Sequence, residues 1–135
     1  MVYKASMLLV ALALWPSMAH ASDFRCFRSV GRKTAIQFQL TFSDKAKDPD
    51  SVRYRKGSAP ILVDRVSESV IEEGIDGRPS MTMILLKERG SAGGRYEMDV
   101  QGANIYGMEY LRKDGKRFSF EDDPDSYGDS ACNWK

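Results

Sequence analysis

The sequence holds one histidine, His20, and two cysteines, Cys26 and Cys132. It has no Cys-x-x-Cys pair and no third thiol, so nothing can resolve a redox cycle. Two thiols cannot complete a four-ligand structural zinc site. A surplus of one charge is also missing: 20 Lys and Arg face 19 Asp and Glu. Near-neutrality gives no general electrostatic pull on nucleic acid, which requires a basic excess. No segment sustains a 3.6-residue apolar period, which removes the amphipathic face a helix would bury.

The longest apolar stretch lies at the N-terminus, Met7 to Trp15, behind a positive Lys4. It is far short of the roughly 20 residues that cross a bilayer. Ala19-His20-Ala21 follows, with small residues at the two positions a signal peptidase reads. The expectation is a signal peptide over 1–21, a single β domain over 22–135 in the periplasm or outside the cell, and no stable membrane anchor. Cys26 stands behind Asp23-Phe24-Arg25 rather than at the cleavage point, so a lipoprotein anchor is not expected either. Cleavage removes Lys4 and His20, leaving a domain with zero net charge and no histidine. The commonest general base and metal ligand is then absent.

In an oxidising compartment an even cysteine pair reads as a disulfide. Cys26–Cys132 would close nearly the whole domain into one loop, stabilising it by about 4–5 kcal/mol through the unfolded state.

The domain reads as strands. In the segment 34–42, Ile36, Phe38, Leu40 and Phe42 fall on one face and Gln37, Gln39 and Thr41 on the other. This strict alternation marks a half-buried strand, and removing Gln37 from the polar face is expected to change stability little. Alternation returns over 51–55, 61–66, more weakly 68–71, then 81–86, 95–101 (Tyr96, Met98 and Val100 inward), 104–111 and around Phe118 and Phe120. Asp76-Gly77, Gly90 to Gly94, Gly102-Ala103 and Asp114-Gly115 punctuate them, the last as a type I′ signal. The fold expected is all-β: a small antiparallel barrel, or a barrel-like sandwich, of about seven to nine strands closed by one disulfide. With Cys26 and Cys132 joined, first and last strands become neighbours, and closure removes the exposed edges.

Few residues point to chemistry. Ser91 has no histidine and no Ser-x-x-Lys partner to activate it. Glu97 and Asp99 read as outward charges on a strand, and Arg25, Arg28, Arg32 and Lys33 as a solvated edge. The acidic run Glu121–Asp125 lacks the closing glutamate of a calcium loop. It reads as a solvated acidic loop able to steer a basic partner. No residue set indicates a catalytic site, a metal or a cofactor. Two loops stand out as partner-binding: the glycine loop with Ser91, Gly93 and Gly94, leading into Arg95 and Tyr96, and the turn carrying Lys113. In an antiparallel meander they emerge at the same end of adjacent strands.

Phe24-Arg25-Cys26, Gly93-Gly94-Arg95-Tyr96, the aromatic stretch Tyr106 to Tyr110, Lys113-Asp114-Gly115 and Cys132 follow an order that resembles the bacterial C-type lysozyme inhibitors. Aligned on Arg95-Tyr96, the serine of that family's inhibitory loop falls on Ala92, with Ser91 beside it. Asp114 separates Lys113 from Gly115, and the stretch before the glycine loop is longer by about two strands. The resemblance implies a small β-barrel with a Cys26–Cys132 bridge that inserts Ser91 and Lys113 among the active-site carboxylates of a lysozyme. The functional expectation is an exported non-enzymatic binding protein with a protein partner, a lysozyme or another basic envelope-targeting enzyme. The alternatives are a small-ligand carrier with an open barrel interior, or an envelope or immunity interaction protein using a strand edge.

Overall fold

A computed structural model describes residues 23–45, 47–57, 59–90 and 93–135. The leader expected over 1–21 and Ser91 lie outside the described residues. Eight strands follow one another: β1 Phe24–Ser29, β2 Gln37–Thr41, β3 Asp50–Tyr54, β4 Ile61–Glu72, β5 Met81–Glu88, β6 Arg95–Gln101, β7 Asn104–Leu111 and β8 Arg117–Asp122. Each pairs antiparallel with the next, and β1 pairs back to β8 through Phe27↔Asp122, Arg28↔Glu121 and Ser29↔Phe120. The barrel is therefore closed, and the sandwich alternative falls. Cys26 and Cys132 form a disulfide, with Cα atoms 5.8 Å apart.

Period-2 alternation sets the core. Phe38 and Leu40 of β2, Leu86 of β5, Tyr96 and Met98 of β6, Met108 of β7 and Phe120 of β8 point inward and are buried. Phe38 packs edge-on against Phe120 (centroids 4.8 Å apart) and stacks on Phe27 (5.1 Å). Each such burial contributes about 1.5–3 kcal/mol. Ile36 and Phe42 lie just outside β2 and pack partly buried at its two ends.

The other face of β2 is not the solvated one that alternation implies. The segment 123–135 folds back across β1 and β2, turning through a short 3-10 helix, Pro124–Ser126. Gln39 is buried, and its Oε1 accepts the Cys132 backbone N–H at 2.8 Å. Gln37 donates from Nε2 to Oδ2 of the buried Asp123 at 2.9 Å and accepts from Arg55 at 2.8 Å. Gln37 is thus a tie to a buried carboxylate rather than a residue on a bare solvent face, and its removal is now expected to cost stability. Arg53 stacks over Trp134 at 4.8 Å, completing the strap.

Two further expectations are corrected. The segments 61–66 and 68–71 are one strand, β4, interrupted by irregular register at Arg65/Ser67 and Val70/Glu72. Asp114-Gly115 is not a type I′ turn, because only Gly115 has positive φ (91°), and the Gly115 N–H closes onto the Arg112 carbonyl. That is the three-residue hairpin pattern, a tight turn followed by a left-handed residue. Both central residues with positive φ occur instead at Asp76 (54°) and Gly77 (76°), where the Arg78 N–H bonds the Ile75 carbonyl.

Candidate functional site

Because all neighbours are antiparallel, every odd strand ends at the same rim. The connections that follow β1, β3, β5 and β7 therefore leave from that rim. Within it, the register Arg95↔Leu111 sets the glycine loop and the Lys113 turn side by side.

Glu88, at the inward end of β5, anchors the glycine loop. Its backbone N–H bonds the Gly94 carbonyl at 3.0 Å, and its Oε2 accepts the Gly94 N–H at 3.4 Å. Its Oε1 accepts the Tyr96 hydroxyl at 3.0 Å, and the Tyr54 and Tyr96 oxygens are 2.6 Å apart. Tyr96 has already committed its proton to Glu88, so Tyr54 donates to Tyr96. Burial raises the Tyr54 and Tyr96 hydroxyls well above the ordinary phenol range. Tyr110, on β7, is raised too, first by burial and then by the Glu88 charge. Its ring lies against Gly94: a Cβ there would meet the Tyr110 hydroxyl at 2.2 Å. Glycine is required at 94 for this close approach. Ile36, Tyr54, Ile61, Tyr110, Phe118 and Phe120 surround a depression of about 300 Å³ at the barrel mouth, above an interior filled by the buried core.

On the outer wall beside the glycine loop, Lys87 of β5 and Arg95 of β6 face each other directly across the ladder. They border a second depression, of about 460 Å³, together with Gly93, Arg112 and Lys113, over a floor containing Val66, Leu85 and Leu111. Arg112 pairs with Asp114 at 2.9 Å. Asp64, the β4 neighbour of Lys87, is taken by Arg89 through two hydrogen bonds of 2.8 and 2.9 Å, which holds its carboxyl below the usual range.

Of the residues expected to meet a partner, Gly93, Arg95 and Lys113 come together at this depression. Ser91 lies outside the described residues. Gly94 is buried against the Tyr110 ring. Tyr96 is fully buried and points into the barrel, so its expected place in the interface is corrected: inward alternation on β6 makes it a support for the loop, not a contact. Lys87, Glu88 and Arg112 are the members that sequence reading passed over. Their neighbourhood depends on the β5–β6 and β6–β7 registers, which no local pattern encodes.

The acidic run is corrected at one residue, Asp123. Glu121 pairs with Arg28 at 3.0 Å. Asp123 is buried and receives Gln37 and Ser126 (2.7 Å). Glu121, Asp122 and Asp125 are exposed, as a solvated acidic stretch would be, and only Asp123 is drawn into the strap, at the opposite end of β8 from the Lys113 turn. No family model matches the chain, and neither a curated protein nor a solved structure does.

Proposed function

We propose that the chain is an exported, non-enzymatic binding protein whose 89–94 and 112–116 loops enter the active-site cleft of a lysozyme-type glycosidase. The observation that carries this reading is the shared rim: both loops leave adjacent strands at one end, with Arg95, Arg112 and Lys113 between them. A glycosidase cleft presents a pair of carboxylates flanking the scissile bond. Arg95 at the start of β6 and Lys113 on the turn supply complementary charge. Glu88, Tyr96 and Tyr110 hold the base of the glycine loop, which lowers the ordering cost of insertion. The filled barrel interior favours this reading over a small-ligand carrier.

The test is inhibition of a C-type lysozyme by wild-type protein and by Ser91→Ala/Lys113→Ala. Inhibition at micromolar concentration by wild type, lost in the double variant, supports it. No inhibition by wild type removes the lysozyme target. Equal inhibition by both proteins moves the contact away from these loops.

A further inference from the structure

Like charges placed directly opposite on neighbouring strands destabilise a sheet, and this barrel treats its two such pairs differently. Glu97 and Glu109 face each other on β6 and β7, and Arg117 bridges them at 3.4 and 2.7 Å. Lys87 and Arg95 face each other on β5 and β6, both exposed. Among the described residues no carboxylate lies within ion-pair distance of either. The nearest candidate, Asp64, is occupied by Arg89. Arg112, itself paired with Asp114, and Lys113 border the depression from the adjoining turn, and Val66, Leu85 and Leu111 give it an apolar floor. Natural proteins break one or two such local rules at functional positions.

We infer that this depression binds a phosphate monoester at the head of an alkyl chain, the phosphate between Lys87 and Arg95 and the chain on Leu85, Leu111 and Val66. A phosphate monoester carries about −1.5 to −2 charges near neutrality. It matches two opposed cations better than a single carboxylate does, and guanidinium binds phosphate oxygens in a bidentate fork. The apolar floor distinguishes an alkyl ester from the free ion. This inference does not rest on the lysozyme reading, since its test contains no lysozyme and leaves Ser91 and Lys113 unchanged.

The experiment is calorimetric titration of the intact protein with octyl phosphate below its aggregation concentration, with inorganic phosphate and octanol as separate arms. Octyl phosphate is expected to bind at least about tenfold more tightly than either, one power of ten being about 1.4 kcal/mol. Lys87→Gln/Arg95→Gln is expected to lose at least about tenfold, the scale of a charge-assisted contact. Its melting temperature without ligand should equal or exceed that of wild type, because the like-charge opposition is relieved. Leu85→Ser should weaken octyl phosphate and leave inorganic phosphate unchanged. If Lys87→Gln/Arg95→Gln melts lower than wild type, Arg95→Gln alone serves for the binding comparison. Equal octyl phosphate affinity in wild type and variant overturns the site. Octyl phosphate binding no more tightly than inorganic phosphate overturns the alkyl part of the assignment.

Discussion

Gln39 shows how a single side chain can belong to two structures. Its strand position faces away from the barrel core, yet its amide oxygen is the acceptor for the buried Cys132 N–H. Replacing it with leucine keeps the volume and orphans that donor, at a cost of about 1–3 kcal/mol. Gln39→Leu should lower the denaturant midpoint accordingly with the disulfide intact; an unchanged midpoint would mean the strap is not held there. The tyrosines make a second residue-scale prediction. Tyr54 and Tyr96 are raised by burial, and Tyr127, by burial and then by its bond to Asp122, is pushed up to about 12. A hydroxyl whose pKa is higher folded than unfolded adds stability that is complete below the unfolded value of about 10. That stability is lost as pH rises through the folded values. Melting temperatures should therefore hold steady up to about pH 10 and fall steadily from there toward pH 12. A flat profile across that window would contradict the burial of these hydroxyls.

At the scale of elements, the glycine loop is set by its base. Ala at 94 would place Cβ 2.2 Å from the Tyr110 hydroxyl and 2.4 Å from its ring carbons. Tyr110 cannot yield freely, since its ring is packed 4.8 Å from Tyr96. Gly94→Ala should destabilise by about 1–3 kcal/mol, as overpacking does. It should also shift the amide resonances of Glu88 and Tyr96. Loss of stability with those resonances unmoved would place the strain elsewhere. Strands were legible in the sequence where one face meets the core and the other meets water. Strand β6 reads that way, with Tyr96 and Met98 buried and Arg95 exposed. Strand β1 escaped because both its faces are covered: Phe27 and Ser29 meet the barrel while Cys26 meets the strap. Burial on both sides erases a period-2 signal. The outer half of β4 is blurred for the opposite reason, being exposed from Arg65 to Glu72. The turn at 112–116 was placed correctly and typed wrongly, because Asp-Gly serves both turn chemistries and only the loop length separates them.

The whole molecule is a closed ladder bound by one covalent tie. Cys26 and Cys132 are 106 residues apart, and a loop of that size constrains the unfolded chain by about 4–5 kcal/mol. Reduction should lower stability by roughly that amount and release the strap while β2–β7 retain their pairing. Coincident loss of far-ultraviolet β signal on reduction, without denaturant, would show that the strap holds the barrel closed by itself. Closure and the disulfide were legible from strand spacing and cysteine count. The cationic wall was not, because Lys87, Arg95 and Arg112 become neighbours only through register. The central claim is that this rim, and no other surface, meets the partner. Hydrogen exchange of the wild-type protein with and without a C-type lysozyme tests it most directly. Slowed exchange should appear at 89–95 and 111–116, with the β4–β5 tip at 67–78 and the strap at 123–135 unchanged. Protection at the tip or the strap with an unaltered rim, or protection nowhere, would contradict it.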